Sequence, residues 1–253
     1  MLPAERRRRI VELVTERDGC SVAELASELD FSKATIRRDL QELEDEGQVE
    51  RSHGGAVPVS SVGRERSYGQ REVQRLDAKE AIADRAVEEI RDDQVVCFDA
   101  GTTTMALARA VPADAVLDAV TNMPELATAL MERGIDVSVT GGRLRPRTRA
   151  LVGPSTETFL ERRHIDLLFL GTNSVLPSGL TTPDEDEAAV KSLMVERASR
   201  VVLIADRSKF GEQSYVTFAD LADVDVLVTD EAPVGDLRAA LEDSGVSVAE
   251  VDE

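Results

Sequence analysis

The chain has 253 residues, 42% of them hydrophobic, enough for a small domain and a larger one with its own core. It carries 49 Asp and Glu against 30 Lys and Arg, for a formal net charge of −19, and only Lys33, Lys79, Lys191 and Lys209 among the cations are lysines. No apolar run approaches the roughly 18 residues of a membrane span, and the N-terminus lacks the apolar core of a signal peptide. Cys20 and Cys97 are too few for a disulfide framework, so a membrane protein and a disulfide-stapled secreted one are both excluded and a cytoplasmic location is expected.

In chain order, Ile10, Leu13 and Val14 mark a first helix headed by Arg6 to Arg9, a run that either faces nucleic acid or is a solvated face. Ser21 with Glu24 forms a capping box for a second helix whose apolar face is Val22, Leu25, Ala26 and Leu29. Only Asp30 and Phe31 precede the next N-cap, Ser32, with Thr35 in the first turns. In the helix that follows, Ile36, Leu40 and Leu43 fall at i, i+4 and i+7, so Arg37 and Arg38 point away from the core and Lys33 sits in the first turn. Residues 48–57 read as two short strands around Gly54-Gly55, with Arg51 and His53 on the hairpin. Three helices and a hairpin, the third helix basic, make a winged helix-turn-helix whose recognition helix can enter a major groove.

Those residues resemble a known family. Arg6, Ile10 and Val14, then Ser32, Thr35, Ile36, Arg37, Arg38, Asp39 and Leu40, look like the DeoR-type helix-turn-helix, and Arg51-Ser52-His53-Gly54-Gly55-Ala56 looks like its R-x-H-G-G-A wing. The chain is most similar to GlpR-type regulators of sugar and glycerol catabolism within that family. The DNA-contacting set expected over domain 1–58 is Ser32, Lys33, Thr35, Arg37, Arg38, Arg51 and His53, with a double-stranded operator as partner.

The acidity does not oppose this. Residues 1–58 hold nine Lys and Arg against thirteen Asp and Glu, so even this domain is acidic. Pervasive acidity with scarce lysine resembles proteins of concentrated intracellular salt and points to a halophilic archaeal source. At about 1 M salt the Debye length is about 3 Å, which screens distant repulsion while leaving close bidentate arginine contacts effective.

Residues 59–76 are polar and read as a linker. From 77 onward helices and strands alternate: a helix over 77–90, strands at 95–99, 116–121, 137–140, 165–170, 201–205, 224–229 and 246–251, and helices near 105–110, 124–131, 183–198 and 234–241. This is an α/β domain on a mostly parallel sheet, whose ligands bind beyond the carboxyl ends of the strands. Asp99-Ala100-Gly101-Thr102-Thr103-Thr104 ends a strand and opens a helix, so it is either an anion-binding turn or a plain N-cap. It lacks the lysine of a nucleotide-binding P-loop. Arg143, Arg145, Arg147 and Arg149 alternate, which in an extended segment places all four on one side, facing either a ligand or solvent. With His53 and His164 the only histidines, neither a nucleophile–histidine arrangement nor a metal cluster can be assembled, and His164 reads as structural.

The second half also resembles the DeoR family, whose sensor domain is of the ribose-5-phosphate isomerase and coenzyme A transferase type. Asp99-x-Gly101-Thr102-Thr103, Thr121-Asn122, Gly141-Gly142 with Arg145, Gly153, Gly171, Lys191 and Asp206-x-Ser208-Lys209-Phe210-Gly211 stand where its motifs stand. The resemblance implies that the threonine loop holds a phosphate and that Lys191 and Lys209 face the rest of a sugar phosphate. The expected effector set over domain 77–253 is Asp99, Gly101, Thr102, Thr103, Thr104, Asn122, Gly142, Arg145, Lys191 and Lys209. The chain is thus expected to be a repressor of sugar or glycerol catabolic genes, a homo-oligomer (dimer or tetramer) relieved by a phosphorylated sugar or polyol, with no cofactor, catalytic residue or metal. The alternative is a sugar-phosphate isomerase-like enzyme with an appended DNA-binding module, although the Gly-rich element of such isomerases is missing from residues 179–185.

Overall fold

The computed structural model describes residues 2–17, 19–46, 48–52, 54–58 and 65–251. They form two compact units, Met1–Arg66 and Ser67–Glu253.

In the first unit, α1 (Pro3–Glu16) leads through β1 (Cys20–Ser21) into α2 (Val22–Leu29), then α3 (Lys33–Asp45), β2 (Val49–Ser52) and β3 (Gly55–Pro58). The Ser21–Glu24 capping box forms as the sequence requires, and Asp30 closes α2 in the left-handed region at φ 57°. Ser32 caps α3 by accepting from the Thr35 N–H at 3.1 Å. The sheet order β1-β3-β2 brings β1 against the hairpin. Gly55 is required there, because a Cβ would lie 2.2 Å from the Cys20 carbonyl oxygen. Ile10, Leu13, Val14, Leu25, Ile36, Leu40 and Leu43 build the core of this winged helix-turn-helix.

The Arg6–Arg9 run is largely structural. Arg6 is buried and grips Asp39 of α3 with two bonds, Nε at 2.5 Å and Nη2 at 2.9 Å, while its guanidinium lies 4.5 Å above the Phe31 ring. Arg7 bonds Glu42, and Arg8 and Arg9 both reach Glu12.

The second unit opens with α4 (Tyr68–Glu72) and α5 (Leu76–Val87), followed by β4 (Gln94–Phe98), α6 (Thr102–Ala110), β5 (Leu117–Thr121), α7 (Pro124–Glu132) and β6 (Asp136–Val139). A short hairpin, β7 (Arg143–Leu144) and β8 (Leu151–Val152), precedes α8 (Pro154–Glu161) and β9 (Leu167–Leu170). Then come β10 (Ser174–Leu176), β11 (Gly179–Thr182), α9 (Glu185–Arg197), β12 (Val201–Ile204), β13 (Val216–Ala219), β14 (Val226–Thr229), α10 (Gly235–Asp243) and β15 (Ser247–Glu250). Seven strands form one parallel sheet in the order β15-β14-β12-β9-β4-β5-β6, and β10-β11-β13 form an antiparallel one. From β4 the chain winds outward through β5 and β6, then returns to β9 on the other side of β4 and continues outward. The topological switch point therefore lies between β4 and β9, where an open α/β sheet leaves a crevice.

The expected linker needs correction at its C-terminal end. Ser67 caps α4 with Gln70 in a capping box, and Tyr68 is buried with its N–H donating to the Arg147 carbonyl at 2.7 Å. Residues 67–76 therefore belong to the second unit, because one buried aromatic and a cap outweigh a polar composition.

Stranding one partner of a buried ion pair costs several kcal/mol, whereas replacing both is close to neutral. We expect Arg6→Met to cost about 3 kcal/mol, the low end of that range, read as roughly hundredfold faster hydrogen exchange of α1 and α3 amides in the full chain. The double variant Arg6→Met/Asp39→Leu should recover most of the protection. Equal losses in the two variants would refute the pairing as the cause.

Candidate nucleic-acid interface and anion site

The first half of α3 presents Lys33, Arg37 and Arg38, all exposed and none in an ion pair among the described residues. Its acids are confined to the second half or turned inward: Asp39 is buried on Arg6, and Glu42 meets Arg7. Ser32 and Thr35 are tied together at the N-cap, their hydroxyls 2.9 Å apart. The N-terminal part of a recognition helix is the part that meets base edges, and Lys33, Arg37 and Arg38 stand in that half of α3. Arg51 on β2 is half-buried, and its Nη1 is buried without a hydrogen-bond partner. His53 lies outside the described residues.

In the second unit, the carboxyl ends of β4 and β9 enclose a cavity of about 30 Å³. It is lined by Ala100, Gly101, Thr102, Thr103, Thr104, Gly171, Thr172, Asn173, Ile204, Arg71, Glu187, Lys191 and Lys209. Gly101 is the N-cap of α6, so the N–H groups of the helix's first turn open toward this space, while Thr104 Oγ1 donates back to the Gly101 carbonyl at 3.0 Å. Asp99 and Lys191 sit beneath, 1% and 5% exposed. The Lys191 Nζ donates to Asp99 Oδ2 and, at 2.9 Å, to the Gly171 carbonyl. The same Asp99 oxygen accepts from the Gly171 N–H at 3.0 Å, and Asp99 Oδ1 is buried without a partner. Burial pushes the Asp99 carboxyl up from the ordinary carboxylate range, against the pull of the Lys191 ammonium.

Glu187, one turn before Lys191 on α9, is held from behind by Arg145 Nη1 at 2.5 Å and by the Thr148 hydroxyl. Arg145 also meets Asp184 at 2.9 Å. On the α5 side, Lys79 is buried and donates to the backbone carbonyls of Arg71 and, at 2.6 Å, Gln74.

These parts agree with what the chain is similar to. The DeoR-like helix-turn-helix domain matches residues 6–62, and the DeoR C terminal sensor domain matches residues 74–231. The chain belongs to the DeoR family. The HTH-type transcriptional regulator GlpR of Haloferax volcanii is 61% identical over 251 residues, covering 99% of this chain and 98% of that one. The putative aga operon transcriptional repressor of Escherichia coli O157:H7 is 34% identical over 254 residues, covering 99% and 94%. Among solved structures, ribose 5-phosphate isomerase A from Methanocaldococcus jannaschii overlays on 54% of this chain and 55% of its own, with a TM-score of 0.40 and 16% identity. This DeoR-family chain is a DNA-binding transcriptional regulator and not an enzyme, and the Haloferax relative accords with the halophilic source that its acidity indicates.

Of the effector residues expected from the DeoR resemblance, the cavity gathers Gly101, Thr102, Thr103, Thr104, Lys191 and Lys209, with Asp99 directly behind Lys191. Asn122, Gly142 and Arg145 do not line it. Asn122 is buried and its Nδ2 donates to the Leu151 carbonyl at 3.3 Å. Gly142 has φ +115°, and a Cβ there would meet Thr156 Oγ1 at 2.3 Å. Both brace the 141–156 segment. The alternating arginines do not share one side either, because β7 ends at Leu144 and a turn follows, with Arg149 at φ 63°. Arg143 goes to Asp186, Arg145 to Glu187, and Arg149 stacks 4.3 Å over Tyr68. Sequence reasoning missed Arg71, Thr172, Asn173 and Ile204 as lining residues, and left Gly171 and Glu187 out of the expected effector set although Gly171 stands at a family-like position and Glu187 was within reach of a ligand. Gly171 carried a signal, since it directly follows the apolar strand beside β4.

Burial lowers the Lys79 pKa from 10.5 to about 8, partly offset by Asp206. Between these values the folded chain binds fewer protons at this site than the unfolded chain does, so the site's contribution to stability rises with pH across that window. From pH 7.5 to 9.5 wild type should gain about 2 kcal/mol relative to Lys79→Met in denaturant titrations at molar salt. A constant difference between the two would contradict the burial of a charged amine.

Proposed function

We propose that this regulator represses sugar or glycerol catabolic genes by placing paired recognition helices on a symmetric operator, and that a phosphorylated sugar or polyol in the switch-point cavity releases it. The observation that carries the reading is the distribution of cations in the first unit. Those of α1 are matched by acids, whereas Lys33, Arg37 and Arg38 at the start of α3 are exposed and unmatched among the described residues. In a protein of net charge −19, a face kept clear of counter-charges has a polyanion as its natural partner. Arg37 and Arg38 read base edges in this account, Lys33, Ser32 and Thr35 meet phosphates, and Arg51 acts from the wing.

The effector reading rests on the first turn of α6, with its N–H groups and Thr102 and Thr103 hydroxyls, beside Lys209 and the Lys191–Asp99 pair. A cavity of about 30 Å³ holds little more than a water molecule, so the ligand enters by moving side chains apart. Binding then favours whichever arrangement accommodates the ligand, and release follows if that arrangement no longer matches the operator. A dimer or tetramer is part of this proposal, since one winged helix spans only a few base pairs. So is a cytoplasmic location, which a DNA-bound regulator requires; among the described residues no helix is long and apolar enough to cross a membrane.

Mobility shifts in molar KCl test both halves. Arg37→Ala and Arg38→Ala should each cost about 1–3 kcal/mol on the operator and relax base preference, with little change on scrambled DNA. Unchanged operator binding in both variants would remove α3 as the reading helix. Lys209→Ala and Thr103→Val should bind operator normally yet resist release by sugar phosphates. Normal release from both variants would move the effector elsewhere.

A further inference from the structure

Two helices of the main sheet line the cavity, and their N-termini differ. Gly101, the N-cap of α6, has no side-chain oxygen to offer, so the first N–H groups of that helix are left to a ligand. The start of α9 is already closed. Asp184 Oδ1 accepts there from the Glu187 N–H at 3.0 Å, and Glu185, Asp186 and Glu187 fill the first turn with negative charge. A phosphate therefore goes to α6, and the wall that carries Glu187 meets the rest of the molecule.

Among the described residues Glu187 is the one acidic residue of the lining. Its two oxygens are used unequally. Oε1 accepts from Arg145 and from the Thr148 hydroxyl, neither of which lines the cavity, while Oε2 makes no hydrogen bond among the described residues. Glu187 is 6% exposed, so the spare oxygen has the cavity rather than bulk water from which to draw a donor. The loop after β9 is committed in the same one-sided way. Gly171 gives its N–H to Asp99 and its carbonyl to Lys191, and the Thr172 hydroxyl is tied to the carbonyls of Ser174 and Thr181. Asn173 accepts at Oδ1 from the buried Thr182 hydroxyl at 3.0 Å, and its Nδ2 makes no hydrogen bond among the described residues. The bond to Thr182 sets which way the amide is turned and leaves the two N–H donors of Nδ2 to the cavity.

We infer that Glu187 and Asn173 form a hydroxyl-reading end of the cavity, with Glu187 Oε2 accepting from a ligand hydroxyl and Asn173 Nδ2 donating to a ligand oxygen, and that Glu187 excludes ligands with a carboxylate at that end. The inference rests on the effector reading above and adds the ligand class, a phosphate monoester that bears free hydroxyls and no second anionic group. A hydroxyl both donates and accepts, so a fixed acceptor and a fixed donor in one cavity match it. Arg145 is shared between Glu187 and Asp184, so that group of charges stays negative. Like charges in contact repel strongly even where salt screens distant ones.

The test uses the full chain in molar KCl. Calorimetry compares glycerol 3-phosphate, ribose 5-phosphate and glucose 6-phosphate with the acids 3-phosphoglycerate, 5-phosphoribonate and 6-phosphogluconate, and with propyl phosphate, which has no free hydroxyl. Wild type should bind its preferred sugar or polyol phosphate at least about tenfold tighter than the acid of the same chain length. Glu187→Gln keeps Oε1 as the acceptor for Arg145 and Thr148 and puts an amide donor in place of Oε2. It should lose about tenfold on the preferred ligand and gain on the acid, which closes the gap. Asn173→Ala should lose on the preferred ligand and gain nothing on the acid. Both variants should bind operator normally and treat propyl phosphate as wild type does. Wild-type affinities in both variants, alongside lost binding in Lys209→Ala or Thr103→Val, would overturn the hydroxyl-reading end and leave the effector reading standing. So would equal wild-type affinity for the preferred ligand and its acid, or a loss on propyl phosphate as large as on the preferred ligand, which would place the effect in the fold. Should wild type bind none of the probes, or Lys209→Ala and Thr103→Val bind them as wild type does, the effector reading and this inference fall together.

Discussion

The second unit is organised around one buried ion pair, Asp99 with Lys191. Two charges withdrawn from water need further hydrogen bonds to offset their lost hydration, and here the Gly171 backbone supplies one on each side, while Asp99 Oδ1 stays unpartnered among the described residues. The pair joins the end of β4 to α9, and Gly171 adds the end of β9. The switch point of the sheet is thereby clamped from beneath. One turn along α9, Glu187 takes Arg145 and Thr148 and so sets the turn after β7. What is left above is the first turn of α6 with Lys209 and Arg71 around it. Asp99, one of the expected effector residues, thus also sets the geometry of the residues above it.

The same economy of charge explains how so acidic a chain meets DNA. Many of its cations are committed to acids, among them Arg6 to Asp39, Arg85 to Glu89, Arg200 to Glu89 and Arg207 to Glu231. Net charge therefore says little about any one surface. At high salt only close contacts count, and these depend on which few cations remain uncommitted and outward. In the first unit, α3 keeps Lys33, Arg37 and Arg38 in that condition.

Much of this was legible in the sequence because it follows from local rules. Caps at Ser21 and Ser32, the stripe of Ile36, Leu40 and Leu43, and the apolar runs ending in Asp99 and Leu170 each depend on residues a few positions apart. Contacts between distant residues were not legible. Nothing near Arg6 announces Asp39, and nothing near Arg145 announces Glu187, so cations set aside for DNA or effector turned out to brace the fold. Residues 67–76 looked like linker because their composition is polar, and their membership in the second unit turns on Tyr68 and on Lys79 capping the end of α4. Strands β10, β11 and β13 escaped notice because Ser, Gly and Thr dilute their apolar pattern, and pairing with one another rather than with the main sheet sustains them.

The central claim is that the space above the Asp99–Lys191 pair is where a phosphorylated ligand binds. Hydrogen exchange on the full chain in molar KCl, with and without whichever sugar phosphate raises its melting temperature most, measures this directly. The account predicts added protection at residues 101–105 and 171–173. Ligand-dependent protection confined to other parts of the chain, with these segments exchanging at their unliganded rates, would contradict it.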